Sequence, residues 1–446
     1  MLIVGVTLWF ISSFIIPFKS AILNTSDYYS SGWITLVTVE YLYPLLAIYG
    51  VLIIYLFVLL LYTWDLKTGL RWDPVSIADN LALFRHSDFL EDFKDLDMDD
   101  PASHRERFAD SAYRLGYWRI DKNGPPQYWH GFARDPGVPN GSRPRTVEEP
   151  TDDQYYNTTS WIFHPVSMVI WFALWVILSA CFATLLVKGF QHYHTGFVIQ
   201  CSTLATGFIL QILPPFLASF FTVFWEEADL FYRAVQPYAG MRKKGKAQMA
   251  HENLLLEYPF LPSPVISYIA FRKKHSKVSF ISLMALVQRL LPIIAAGSVT
   301  LFSSPDQDDA TIVYVSPILC TATLVFVLLE FPLIVLIIPG PERRLPHDLA
   351  TFGDLLSWCW DSDLVRDKVF DMTIQQEDDN SEAGLDDRRV MKAKLLSDRD
   401  KYAFGEIRNR NNRANGNHHE EPAHVGFDFE KNIAIPAIPK RRRCAI

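Results

Sequence analysis

The sequence predicts an all-α membrane protein with about six transmembrane helices, short cytosolic helical motif segments and a disordered C-terminal tail. Three observations predict it. Half of the 446 residues are apolar and a fifth are charged, yet mean hydropathy is only +0.09. That near-zero average hides windows of about twenty residues almost without charge, the length a helix needs to cross a bilayer. Between those windows, Asp, Glu, Lys and Arg are dense. A soluble globular chain, a fibrous one and a fully disordered one do not divide this way, and five cysteines are too few for a disulfide scaffold.

The apolar stretches run Leu2 to Phe18, Ile34 to Tyr62, Trp161 to Val187, Gly196 to Trp225, Val278 to Phe302 and Ile312 to Ile338. The first is the shortest. It lacks the basic start of a secretory signal peptide, and no small-x-small cleavage pattern follows Phe18. Trp33, Trp64, Trp161 and Trp225 stand near the stretch ends, where an amphipathic ring prefers the headgroup level.

Lys and Arg set the expected orientation. The segment Glu226 to Lys277 holds Arg233, Arg242, Lys243, Lys244, Lys246, Arg272, Lys273, Lys274 and Lys277. Segments 303–311, 188–195 and 19–33 hold Lys188 and Lys19 and no other cation, with Asp306, Asp308 and Asp309 in the first of them. Placing the basic segment in the cytosol puts both termini there, along with the long loop Thr63 to Ser160. Of the N-x-Ser/Thr sequons at Asn24, Asn140 and Asn157, only Asn24 then lies outside, and its closeness to the membrane predicts poor modification.

The expected organisation is therefore as follows: helices one and two in residues 1–63; a cytosolic loop, 64–160, with a motif at 76–90 and a Pro-rich linker; helices three and four in 161–225; the basic loop, 226–277; helices five and six in 278–338; a second motif (351–365) within 339–370; and a disordered tail, 371–446. Pro125, Pro126, Pro136, Pro139, Pro144 and Pro150 mark the linker. Low aromatic content and polarity mark the tail. The tail ends Lys440-Arg-Arg-Arg443-Cys444-Ala445-Ile446. Its cations predict attraction to anionic lipid, and Cys444 is a candidate for lipidation, against the alternative of a solvated basic end.

The motif is an internal near-repeat. Ser76-Ile-Ala-Asp79-Asn-Leu81-Ala-Leu-Phe-Arg-His-Ser87-Asp88-Phe-Leu90 aligns without a gap to Thr351-Phe-Gly-Asp354-Leu-Leu356-Ser-Trp-Cys-Trp-Asp-Ser362-Asp363-Leu-Val365. Ser76 with Asp79, and Thr351 with Asp354, have capping-box spacing with Asp in the place of Glu. Ser87-Asp88 and Ser362-Asp363 are then expected at the start of a second helix. The bland reading is two docked helical hairpins. The sharper one makes Asp79 and Asp354 a binding pair.

Gly69-Leu-Arg-Trp-Asp-Pro-Val-Ser-Ile-Ala-Asp79, directly after an apolar helix, resembles a fungal-specific domain of unknown function (family 3433). That family's domain occurs in multi-pass membrane proteins, often in two copies. The resemblance covers about Tyr41 to Leu90, with a more divergent second copy in which Leu345-Pro346 replaces Trp-Asp-Pro and Gly353 replaces Ala. It implies fungal origin, two tandem membrane blocks and cytosolic motif segments. It implies no catalytic residues, because the family has no established activity. It also implies a shortened relative or a truncated gene model, since no apolar pair precedes the first block.

Residues that would carry chemistry are few. Gly-x-Ser-x-Gly, Walker, His-Glu-x-x-His and dinucleotide patterns are absent from the sequence, so neither an enzyme, nor a cofactor or metal, nor a nucleic-acid partner is expected. Inside the apolar stretches, Arg289 and Glu330 stand about 16 Å and 12 Å deep at 1.5 Å per residue. An isolated charge there costs about 2.5–3.5 kcal/mol on insertion scales, so the two are expected to pair. Pro292 and Pro332 lie beside them, and broken helices next to buried charge are also how some transporters build a midplane site. Two functions follow. One is a non-enzymatic organiser or regulator that meets protein partners through the cytosolic segments. The other is a transporter or channel subunit using Arg289 and Glu330.

Overall fold

Helices dominate the computed structural model of the chain, which describes residues 14–29, 32–37, 39–64, 70, 72–87, 90, 93, 113–119, 128–134, 160–192, 195–201, 203–241, 248–303, 310–340, 343, 345, 352–360, 362–371, 381–398, 400–408 and 422–436. The chain forms two units. The first comprises Met1–Leu66, Trp161–Asp229 and Ser263–Ile338, and the second Lys67–Ser160, Leu230–Pro262 and Pro339–Ile446. In chain order the elements begin with α1 (Ile15–Ile22), β1 (Leu23–Tyr29), β2 (Gly32–Val37), α2 (Val39–Thr63), α3 (Ile77–Phe84), β3 (Tyr113–Arg119) and β4 (Tyr128–Arg134). They continue with α4 (Pro165–Gln191), β5 (Phe197–Ile199), α5 (Leu213–Met241), β6 (Gln248–Met249), α6 (Ser263–Arg272), α7 (Ser276–Val287) and α8 (Leu291–Ala296). The last are β7 (Val299–Ser303), β8 (Thr311–Val315), α9 (Pro317–Leu336), α10 (Phe352–Ser357), α11 (Ser381–Ser397), β9 (Lys401–Arg408), β10 (Pro422–Phe429) and β11 (Ile433–Pro436).

Among the described residues, five helices are long and apolar enough to cross a membrane: Tyr41–Thr63, Pro165–Gln191, Ala205–Met241, Ser276–Ala296 and Pro317–Leu336. Most of the first apolar stretch lies outside the described residues. Its end, Phe14 with α1, packs on its neighbours: the Phe14 ring stacks on Phe216 at 4.4 Å, and Phe18 meets Tyr41 at 6.1 Å.

Prolines set several helix boundaries. Pro165 and Pro317 occupy the first helical position of α4 and α9, where a missing N–H costs nothing. Pro214-Pro215 could not continue an i→i−4 ladder. The chain answers with a π-helical turn at Phe208–Ile212, in which the Leu213 N–H reaches back to the Phe208 carbonyl. Single-turn π segments of this kind absorb one extra residue within a helix.

The apolar stretches overran the helices because some of their ends are strands. β5 and β7 flank β8 in one antiparallel sheet, with Phe197 opposite Val313 and Leu301 opposite Val313 on the other side. Along β8, buried Thr311, Val313 and Val315 alternate with half-buried Ile312 and Tyr314. Val-Thr-Leu-Phe and Thr-Ile-Val-Tyr-Val are β-branched and aromatic, so they favour a pleated surface as strongly as they mimic a membrane helix in hydropathy. The helix of the fifth apolar stretch therefore ends at Ala296 rather than Phe302, and that of the sixth begins at Pro317 rather than Ile312. Likewise, Gly196–Ile199 and Ile34–Val37 lie before their helices. β1 and β2 form a hairpin that neighbours β7. The connections after residues 22, 191 and 296 thus share one end of the unit.

The second unit has one apolar core. Ile77, Leu81, Phe84, Leu90 and Phe93 share it with Leu356, Cys359, Leu364, Val365 and Phe370, and with Met391, Leu395, Tyr402, Phe404 and Phe427. Three sequence expectations change here. The tail read as disordered carries α11 and a sheet in which β9 lies between β10 and β11, with β6 also paired to β9. Its apolar residues are few but spaced to bury: Met391 and Leu395 one helical turn apart, Tyr402 and Phe404 at strand period. The Pro-rich linker contains β4, paired in register with β3 from Tyr113–Arg134 to Arg119–Tyr128. The basic segment is no plain loop either, because α5 runs on past Trp225 to Met241 and, in the first unit, α6 and α7 form a helical hairpin.

Gly426 allows the closest of these approaches. A Cβ there would stand 2.0 Å from the Trp358 carbonyl oxygen, beside the bond from the Phe427 N–H to the same oxygen at 3.1 Å. Gly426→Ala should therefore destabilise the second unit by about 2 kcal/mol, typical of overpacking, read as a lower thermal midpoint. Gly50→Ala, where a Cβ meets nothing within 4 Å, should leave the midpoint unchanged or raised.

Candidate functional site

The first motif segment builds the best-defined polar constellation. Ser76 is extended at the N-cap of α3 and forms the expected capping box with Asp79. The Asp79 N–H donates to Ser76 Oγ at 3.2 Å, and the Ser76 N–H donates to Asp79 Oδ2 at 3.0 Å. Ser76 Oγ also donates to Oδ2 at 2.8 Å. Asp79 has no exposed surface, so a shorter carboxylate than Glu suffices here. Its charge is met by a residue 309 positions away: Arg388 of α11 donates Nε to Oδ1 and Nη2 to Oδ2, both at 2.8 Å. This is a bidentate fork, the strongest geometry for such a pair. Arg388 Nη2 also reaches Glu257 Oε1 at 3.1 Å, and Lys392, one turn on, pairs with the same oxygen. The hydrogen bonds to Asp79 hold the Arg388 guanidinium above its ordinary pKa, against burial, which lowers it.

The second motif segment is secured differently. Thr351 lies outside the described residues, and Asp354 is half-buried on α10. The turn at Ser362-Asp363 is held by Asp428 of β10, whose Oδ2 accepts from the Asp363 N–H and whose Oδ1 accepts from the Leu364 N–H, each at 3.2 Å. Asn432 Nδ2 bridges Asp363 Oδ2 at 3.1 Å and Asp428 Oδ2 at 3.0 Å. Burial pushes the Asp428 carboxyl up, while its donors pull it down. Burial also pushes the Cys359 thiol up, which makes it packing rather than a nucleophile.

The first motif segment also meets residues just after the second. Arg85 donates to the Asp367 carbonyl, its Nη2 lies 3.6 Å from Asp371, and His86 Nε2 lies 3.2 Å from Asp371. The aligned Leu81 and Leu356 share one core. Of the two aligned carboxylates, Asp79 is taken up by Ser76 and Arg388. Ser87 is buried, its N–H donating to the Phe84 carbonyl at 3.0 Å. Ser362 is buried and its Oγ accepts from the Leu364 N–H. Asp88 and Cys444 lie outside the described residues. Glu257, Arg388, Lys392 and Asp428 escaped sequence reasoning, because no local spacing links them to the motif.

In the first unit Arg289 and Glu330 do not pair. Arg289 Nη2 lies 2.9 Å from Glu226 Oε1, with both side chains substantially exposed. Glu330 is buried and accepts from Trp225 Nε1 at 2.7 Å. The expected ion pair failed because Glu226, placed just beyond the fourth crossing, lies on a helix that continues to Met241. It therefore faces Arg289 instead. Gln288 is buried beside the Glu330 carboxylate. Nearby, buried Asp229 accepts from Ser263 Oγ at 3.2 Å and from Ser282 Oγ.

A family model described as a protein of unknown function (DUF3433) matches residues 208–300. This supports the family proposed from the motif, but on other residues: α5 to β7, rather than the stretch from Tyr41 to Leu90. No curated protein and no solved structure matches the chain.

Arg388→Ala would leave the Asp79 carboxylate buried and uncompensated. Stability of the second unit should fall by about 3–5 kcal/mol. Adding Asp79→Asn should recover part of that loss, and a double-mutant cycle on thermal or denaturant unfolding measures the coupling. In the first unit, Glu330→Gln keeps an acceptor for Trp225 and should be tolerated. Glu330→Leu strands the indole N–H and should cost about 1–3 kcal/mol, seen as less folded protein in detergent.

Proposed function

We propose that this protein is a non-enzymatic membrane organiser or regulator whose second unit stands in the cytosol and binds protein partners on its outer surface. One observation carries the reading. The motif's polar groups serve the fold itself, since Asp79 is fully buried and matched by Ser76 and Arg388. The motif then acts as the joint that gathers three chain segments into one folded body. In this reading the end formed by β1, β2, β5, β7 and β8 faces outward, which agrees with the scarcity of Lys and Arg in those connections. Both termini face the cytosol, and the basic residues contact anionic lipid. The fungal origin and tandem copies implied by the motif resemblance belong to the same reading.

Transport is the second reading, and Glu330 alone now favours it: a buried carboxyl within a candidate span, with no cation paired to it among the described residues. Arg289 contributes little, being exposed and paired with Glu226.

Two measurements test the choice. A tag after Ile446 should be inaccessible from outside intact cells, and Asn140 should carry no glycan; labelling of either from outside reverses the orientation. Sealed vesicles holding the purified chain should show no ion or solute flux above protein-free vesicles. Flux that disappears in Glu330→Gln would replace the organiser reading with transport.

A further inference from the structure

We infer that the tip of the α6–α7 hairpin is a binding site for the phosphate headgroups of anionic phospholipid. The inference rests on the proposed contact of basic residues with anionic lipid, and it assigns that contact to one place.

The hairpin is held from within. Ile266 and Ala270 of α6, and Val278, Ile281 and Ala285 of α7, are buried, and Ser279 Oγ donates to the Ser267 carbonyl at 2.8 Å. The opposite face of α6 is apolar as well, with Tyr268 62% exposed and Phe271 74% exposed. Aromatic rings left open beside a candidate membrane span, Ser276–Ala296, suit the headgroup level. The same end carries exposed Arg272, Lys273, Lys274 and Lys277, and the Arg272 guanidinium lies over the Tyr268 ring at 5.9 Å.

Two of these cations stand where local folding disfavours them. The His275 N–H donates to the Ala270 carbonyl at 2.8 Å and the Lys274 N–H to Phe271 at 3.1 Å. This is a Schellman ending, whose left-handed position normally takes Gly. Here Lys274 takes it at φ 61°, a conformation that costs a side-chain-bearing residue free energy. Lys277 lies in the first turn of α7, which has no acidic residue and no side-chain cap bond. A cation there opposes the helix dipole. An anion at the tip removes the second penalty and offsets the first: the first-turn N–H groups and the dipole of α7 attract a phosphate, and the lysines then flank it. Strained residues cluster at ligand-binding positions.

The test uses the full chain in phosphatidylcholine vesicles containing trace spin-labelled phosphatidylserine or phosphatidylcholine. The ratio of the two motionally restricted fractions gives the selectivity. Wild type should prefer phosphatidylserine, and the preference should shrink in high salt. Lys274→Gly relieves the backbone strain, so its unfolding midpoint should hold or rise while tip affinity falls about fivefold, the effect of one cation at the surface. Lys274→Arg should keep the preference, and Arg272→Gln with Lys274→Gln and Lys277→Gln should abolish the tip's share. Unchanged selectivity in the triple variant overturns the site, and loss of preference on neutralising Arg242–Lys246 or Lys440–Arg443 instead would leave lipid contact standing elsewhere. No preference in wild type overturns both readings. A triple variant that loses self-association but not selectivity overturns the site in favour of a second copy.

Discussion

A carboxylate without exposed surface must be answered inside the protein, and Asp79 is answered twice. Its own capping box fixes the start of α3 through three hydrogen bonds to Ser76. The guanidinium of Arg388 then neutralises it from a helix near the far end of the chain. Burying either charge alone would cost several kcal/mol, so each element needs the other in place. The segment following the second span and the C-terminal segment are thereby bound to one another. Leu254 joins from a third segment, its carbonyl accepting the Ala78 N–H at 3.1 Å, and Glu257 adds an ionic contact to both Arg388 and Lys392.

The first unit obeys a different constraint. Helices that cross hydrocarbon must satisfy their backbone internally, while their connections need partners of their own. Here three connections find them in one another: β8 takes β5 on one side and β7 on the other. Gln211, within the π-helical turn, donates to the Val299 carbonyl at 3.2 Å. The break imposed by Pro214-Pro215 is thus tied to the same sheet. Glu330 and Trp225 join α9 to α5 with one short hydrogen bond, without needing a cation.

The parts legible in the sequence were those governed by local pattern. Five of the six apolar stretches contain a helix of spanning length, and the Ser76–Asp79 capping box followed from spacing three. Helix ends were misjudged where Val, Ile, Thr and Tyr made strands as apolar as helices, as at Thr311–Val315. The disordered-tail reading failed because its burial rests on single residues, Met391 and Leu395, each surrounded by charge. The carboxylate of Asp79 was visible but its partner was not, since Arg388 is one of many cations in a polar segment. The Arg289–Glu330 pairing was inferred from cost alone. The structure shows that hydrogen bonding to an indole, and extension of the fourth helix to carry Glu226, provide other solutions.

The central claim is that residues 381–398, 400–408 and 422–436 are part of the folded second unit and hold the motif in place. Hydrogen exchange on the full chain in a bilayer particle tests it most directly. The account predicts that amides in 77–84, 352–359, 388–397, 401–408 and 422–429 are protected together, and that Arg388→Ala raises exchange in 77–84 as well as in 388–397. Fast exchange throughout 381–436 beside slow exchange in 77–84 would contradict it, because the motif would then be stable without the tail.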